Sequence, residues 1–294
     1  MREPNLFLIG APKCGTTSLA AYLDQHPQIV VSKPKEPRYF VSFRDVRKRS
    51  YEEYLRCFAS ATREAWVCDA TPDYLCSEES IFRISERYPK ARYIVAIRRQ
   101  ADLAFSLHQE QVYNGMEDIL DFEEAWRAQV ERRSGARIPI TCRDPQRLDY
   151  EKRIELGAQL SRALKFIDRE RIFFVDFDAL KNEPDQVMSK LFAFLDVAQF
   201  NVPDLVPRNL RKEVRWPILL KMAAFMYIIK RGIGMRGSLS IAHRIRSLGV
   251  RPAKDRPKMA ESLRAEIDNK YADDWKLIES FARSGPGAVS SMFD

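Results

Sequence analysis

The sequence predicts an α/β fold, a mainly parallel sheet flanked by helices, with a helical extension at its C-terminal end. Two observations carry this. From residue 5 to 195, short apolar runs of strand type alternate with stretches of helical period, and beyond Phe200 the strand-type runs stop. At 294 residues with 45% apolar and 31% charged side chains, the chain reads as soluble, globular and long enough for a substantial core.

The elements follow in order. Leu6-Phe7-Leu8-Ile9 is the first strand; it stops at Gly10, turns through Ala11-Pro12-Lys13-Cys14-Gly15, and resumes with helical spacing from Thr16 to about Gln25. Pro27 ends that helix by disfavouring helical backbone at His26, which reads as a capping or packing histidine rather than a ligand. Ile29–Val31 is a short strand, and residues 32–40 form an extended loop stiffened by Pro34 and Pro37. Residues 50–60 are helical, Trp66–Asp69 is a buried strand ending in an acid, and residues 70–74 form a loop. Residues 78–88 are helical, Arg92–Ile97 is the clearest buried strand and ends at Arg98, and the next helix starts near Ala101.

Helical periods over 121–133 and 151–167 flank a basic, irregular segment. Ile172–Phe177 is a further strand, and Asn182 and Pro184 are expected as N-cap and early proline of a helix over Val187–Leu195. Past 200, Trp216–Ile229 is apolar on one face, Gly232, Gly234 and Gly237 break it, and Pro257 precedes one long helix through Phe281. The tail from Gly285 is expected to be loose. We expect residues 1–200 to be an α/β core and 201–294 a basic helical extension packed on it, one domain overall.

Five scattered cysteines without a C-x-x-C pair point to a reducing compartment and away from a disulfide framework or zinc site. The first strand starts by residue 5 without a signal-peptide pattern, and no apolar run reaches membrane-spanning length, so the expected location is cytoplasmic. The net charge of +8 is regional: residues 208–258 hold fourteen Lys or Arg against Glu213 and Asp255. Such a stretch suits nucleic acid, peripheral contact with an anionic membrane surface or an anionic small substrate, or else is a solvated face.

Strand, glycine turn and helix start make an anion cradle, because the first N–H groups of a helix lack intrahelical partners and sit at the positive end of its dipole. Thr16, Thr17 and Ser18 add hydroxyl donors and Lys13 a full charge. Gly10, Gly15 and Thr17 match the nucleotide P-loop spacing, but the lysine lies inside the turn rather than after its second glycine. That P-loop-like P-K-x-G-T-T-S-L pattern resembles the 5′-phosphosulfate loop of sulfotransferases that use 3′-phosphoadenosine 5′-phosphosulfate (PAPS).

Further stretches carry the resemblance. Residues 23–27 with Lys35-Glu36-Pro37-Arg38-Tyr39-Phe40 are similar to the segment bearing the catalytic glutamate of heparan sulfate sulfotransferases and their bacterial relatives. Asp69-Ala70-Thr71-Pro72-Asp73-Tyr74 resembles the substrate loop E-K-T-P-x-Y, and Arg98 with Ser106 resembles the 3′-phosphate site. Residues 176–180 through 194–195 resemble the later strand-and-helix block, so the likeness covers about residues 5–197. Two departures stand out: the loop lysine is Ala70, and the R-D-P after the strand is Arg98-Arg99-Gln100.

The resemblance implies a PAPS-dependent sulfotransferase that needs no metal and releases PAP, acting on a hydroxyl, or as the lesser alternative an amine, of a carbohydrate or small molecule rather than nucleic acid. It implies Glu36 as base and Lys13 on the leaving phosphate; His108, on the same predicted helix as Ser106, is the rival base from the residues alone. Pro12, Lys13, Cys14, Gly15, Thr16, Thr17, Ser18, Arg98 and Ser106 would bind the donor. Arg38, Tyr39, Phe40, Asp69, Thr71, Tyr74 and His108 would face the acceptor. The alternatives from the residues alone are a P-loop kinase-like protein and a basic protein that binds nucleic acid or a membrane surface.

Overall fold

The computed structural model describes residues 2–284 except 42, 44–45, 47, 207–211, 233–239 and 253–257. Five strands form one parallel sheet: β1 (Leu6–Gly10), β2 (Ile29–Val31), β3 (Trp66–Asp69), β4 (Arg92–Ile97) and β5 (Ile172–Asp176), ordered β2-β3-β1-β4-β5. β1 is buried at every position, because it lies mid-sheet with helices on both faces, and an apolar run without alternation fits that setting. Leu6 pairs with Cys68 on one side and Arg92 on the other. The β4 register shifts between Leu8 and Gly10, and Ala11 N–H donates to the Ala96 carbonyl at 2.6 Å just beyond. Parallel pairing throughout puts the carboxyl ends of all five strands along one edge, where the loops after them meet.

The helices follow the predicted period with shifted ends. α1 (Thr16–Leu23) stops short of Gln25, since Asp24 N–H closes on Ala20 and the chain turns at His26. The His26 ring packs between Phe192 and Phe200 and its Nε2 lies 2.9 Å from the Ala198 carbonyl, the packing role expected of it. α2 (Tyr51–Leu55) begins in a capping box of Ser50 and Glu53 and tightens into a 3-10 turn over Arg56–Phe58. α3 (Glu78–Arg87) and α4 (Gln100–Tyr113) flank β4. The 121–133 period divides into α5 (Phe122–Arg127) and α6 (Gln129–Arg133), and the 151–167 period into α7 (Tyr150–Ile154) and α8 (Leu156–Ala163).

One cap differs from expectation. β5 ends at Asp176, whose carboxylate accepts from the N–H groups of Asp178 and Ala179 and so starts α9 (Phe177–Asn182) at Phe177. Asn182 therefore closes α9, and Glu183 stands at the N-cap of α10 (Pro184–Leu195), with Pro184 in its first turn.

The region after 200 is not wholly helical. β6 (Lys212–Val214) and β7 (Val250–Pro252) pair antiparallel around α11 (Pro217–Gly232) and α12 (Ser240–Leu248). Three-residue strands rich in charge carry no alternation that a sequence pattern could reveal. The expected long helix is two, α13 (Glu261–Lys270) and α14 (Ala272–Arg283), parted at Tyr271. Gly234, Gly237, Pro257 and the tail from Gly285 lie outside the described residues.

α13 and α14 bury Leu263, Ile267, Tyr271, Trp275 and Ile278 in the same core as the sheet. Asp274 on α14 accepts from the N–H groups of Gly157 and Ala158 at 3.0 and 2.8 Å, placing a negative charge at the N-terminus of α8. The amide of Gln100, at the start of α4, donates to the same carboxylate at 3.1 Å.

Candidate active site

The cradle is built as its residues require. Lys13 and Gly15 are both left-handed, φ 66 and 80, and Gly15 is the N-cap of α1. A Cβ on Gly15 would meet Leu180 at 3.0 Å and Phe177 at 3.3 Å, so the position is closed to a side chain by crowding as well as by backbone. No side chain caps α1 and no acid lies in its first turn, so the positive end of its dipole meets the loop without a neutralising carboxylate of its own. Cys14 is buried, with burial pushing its thiol up to about 12, so it adds no negative charge there.

Arg98 braces this turn from β4. Its guanidinium donates to the Lys13 carbonyl at 3.1 Å and lies 4.3 Å from the centre of the Phe177 ring, which brings the ends of β1, β4 and β5 together. Lys13 Nζ is 3.4 Å from Glu110 Oε1. Glu110 is one turn beyond Ser106 on α4, so the i, i+4 spacing sets both on the same face. That spacing was the available signal for Glu110, which the sequence motifs do not include.

Glu36 and Arg38 sit in the loop after β2, both with left-handed backbone, φ 61 and 56. Lys35 Nζ lies 2.7 Å from Glu36 Oε1 and an Arg38 guanidinium nitrogen 2.6 Å from Oε2. Burial opposes ionisation of Glu36, but Lys35 and Arg38 outweigh it and hold the carboxyl below its ordinary range. A cleft of about 440 Å³ opens here, lined by Pro34, Lys35, Glu36, Arg38 and Arg49 among others. A carboxylate among three cations suits an anionic acceptor.

Behind the cleft lies a buried polar layer. Arg38 N–H donates to Thr71 Oγ1 at 3.3 Å, and Thr71 Oγ1 donates to Asp69 Oδ1 at 2.6 Å. The hydroxyls of Tyr54 and Tyr74 donate to Asp69 Oδ2 at 2.8 and 2.9 Å. Burial raises Asp69 to about 6 against the pull of those three hydroxyls. Asp69, Thr71 and Tyr74 have no exposed surface, and Phe40 is buried against Tyr54 and Tyr74. These four, expected to face an acceptor, stand one layer behind Glu36 and Arg38, while Tyr39 is partly exposed and stacks on Tyr54.

Asp73 pairs with the buried Arg147 at 2.9 Å and with Arg38 at 3.6 Å, so an arginine from the irregular segment 134–149 anchors the cleft wall. No local motif marks Arg147. His108 is away from the crevice: it is buried, its Nε2 is 2.8 Å from the Ile119 carbonyl, and burial holds its pKa below the usual imidazole value. Its ring packs on Phe122 and Tyr150, which explains the residue without a reaction.

Comparison with known proteins joins these features. The sulfotransferase domain family matches residues 3–214, which contain the cradle, the Glu36 loop, Arg98 and β5. The chain belongs to the sulfotransferase family. A sulfotransferase from Alicyclobacillus acidocaldarius has the same fold, with a TM-score of 0.62 and 27% identity over 83% of this chain and 100% of that one. The membrane-associated sulfotransferase kil1 of Dictyostelium discoideum is 21% identical over 70% of this chain and 59% of its own length. The bifunctional heparan sulfate N-deacetylase/N-sulfotransferase 1 of Caenorhabditis elegans is 23% identical over 95% of this chain and 30% of its own length. The sulfotransferase thus spans about three fifths of the one relative and under a third of the other. No helix among the described residues is long and apolar enough to cross a membrane.

Proposed function

We propose that this sulfotransferase moves a sulfuryl group from PAPS to a hydroxyl of an anionic carbohydrate or small-molecule acceptor. The observation that carries the proposal is the start of α1, an uncapped helix N-terminus behind a left-handed glycine with Lys13 in the preceding turn. Pro12, Lys13, Cys14, Gly15, Thr16, Thr17 and Ser18 would hold the 5′-phosphosulfate end, and Arg98 with Ser106 the 3′-phosphate. The left-handed backbone of Gly15 at the N-cap of α1 fits a backbone cradle for such a group. PAPS supplies the sulfuryl group and a phosphate leaving group, and departs as PAP.

Lys13 provides positive charge for the leaving phosphate, the kind of preorganised charge that lowers a barrier. Glu36 receives the acceptor proton. Held ionised by Lys35 and Arg38, it is ready at neutral pH yet weakly basic, which suits a hydroxyl that grows acidic as its oxygen bonds to sulfur. Ala70 brings no charge to the substrate loop, and Lys35 and Arg38, both on Glu36, take the place of the lysine missing there. Asp69, Thr71 and Tyr74 hold that loop from behind. An amine acceptor is the lesser alternative, supported by relatives named for N-sulfotransferase activity.

The five cysteines are unpaired, which supports a cytoplasmic site of action. Calorimetry with PAP tests the reading. We expect PAP to bind without metal, Lys13→Ala and Arg98→Ala to abolish use of PAPS, and ATP with magnesium to bind more weakly. Tighter binding of ATP with magnesium than of PAP would replace this reading with a kinase-like one.

A further inference from the structure

Most of the large apolar side chains exposed among the described residues fall between Trp216 and Leu248. On α11, Ile218, Met222, Phe225 and Ile229 are 48–61% exposed. Their spacing of four, three and four residues sets them within an arc of about 60° on the helix. Leu220, Ala223 and Ala224 are buried on the opposite side, and the Leu220 carbonyl would lie 2.4 Å from a Cβ at Gly115, just past α4. The helix is therefore seated by Leu220 and two alanines and turns Ile218, Met222, Phe225 and Ile229 to the outside, the reverse of an ordinary surface helix.

We infer that α11 is a docking surface for an anionic lipid membrane, lying flat with this stripe in the headgroup boundary. Charge complementarity selects the occupant. Residues 208–258 carry a surplus of +12, and on the described part Lys221 and Lys230 flank the stripe while Arg244 stands exposed on α12. Trp216, half exposed at the start of α11, has the Arg215 guanidinium 5.5 Å from its ring and is the residue type that settles at the lipid–water boundary. A second copy of the chain would bring one strongly basic strip against another. A nucleic acid would meet an apolar ridge where phosphate contacts are needed.

Length agrees with a surface position. Sixteen residues make a helix of about 24 Å, less than the roughly 30 Å hydrocarbon core, so α11 lies on the membrane and does not span it. The arrangement also puts the membrane beside the crevice, because α11 rests on the end of α4, which carries Ser106 and Glu110. This inference does not depend on the donor proposed above.

The test is sedimentation of the full chain with vesicles of phosphatidylcholine alone or mixed with phosphatidylserine. We expect binding to the mixed vesicles to exceed binding to neutral ones at least about tenfold and to fall with added salt. The double variant Met222→Glu/Phe225→Glu should lose at least about tenfold of that binding at unchanged melting temperature. The milder Ile218→Ser covers the case in which the double variant fails to fold, and should lose about threefold. Equal binding to both vesicle types, unchanged binding of the variants, or a concentration-dependent dimer that the variants abolish would each overturn the inference.

Discussion

Lys13 Nζ rests 3.4 Å from Glu110 Oε1, so the charge that our mechanism assigns to the donor is held in the structure by a carboxylate of α4. Both side chains are about a third exposed, 29% and 32%, and an ion pair in that setting is worth about 0–1 kcal/mol. On our proposal, a contact of that size yields Lys13 to a phosphosulfate while competing with it.

Removing that competitor should tighten binding. Glu110→Gln is expected to lower the Kd for PAP by about two- to fivefold, read by calorimetry, with little change in melting temperature. A weaker Kd would mean that Glu110 aims Lys13 instead of competing for it.

Glu36→Gln separates base from binding. We expect kcat to fall by about 10²–10⁴ while the Kd for PAP stays within about twofold, because Glu36 lies on the cleft we assign to the acceptor and not on the cradle. Unchanged kcat would reassign the proton to another group.

Gly15→Ala tests the cradle's backbone. The left-handed φ of 80 and the 3.0 Å approach to Leu180 predict a loss of about 1–3 kcal/mol of stability, read by denaturant unfolding. PAP binding should weaken at temperatures where the variant is still folded; unchanged affinity would show that this turn is not the donor site.

Asp69 predicts a pH dependence of unusual sign for a carboxylate. Its native value of about 6 lies above the ordinary 3.8, so the folded state keeps a proton that the unfolded chain has released between those values. Its contribution to stability is greatest below pH ~4 and is lost as pH rises through ~6, by up to about 3 kcal/mol. Glu36 and Asp73, held below their ordinary values, act the other way and lose their contribution as pH falls. Unfolding of wild type and Asp69→Asn from pH 4 to 7 isolates the first effect: the wild type should lose stability relative to the variant across that range. A constant difference would mean that Asp69 titrates normally.

Much of this was legible in the chain because the strands of a parallel sheet are continuous apolar runs and the glycine turn is local. β1, β3 and β4 stood within a residue of their predicted ends for that reason. What periodicity could not reveal was which side of a loop faces the crevice. Asp69 and Tyr74 looked like acceptor contacts beside Glu36, yet the hydroxyls of Tyr54 and Thr71 draw the carboxylate inward, a choice set by residues 15 and 2 positions away. Arg147 on Asp73 and Glu110 on Lys13 are long-range pairs with no sequence mark of their own. The β6–β7 pair is too short for a pattern, and Asn182 lost the N-cap because Asp176 started a helix earlier than expected.

The carboxylate of Asp274 closes the first turn of α8 and reaches the start of α4, although it lies well past β5 in the chain. During synthesis, the residues of the cradle emerge from the ribosome long before that carboxylate does. The crevice therefore gains this brace only after all five strands of the sheet are made, and a nascent chain stalled before α14 would display a cradle without it.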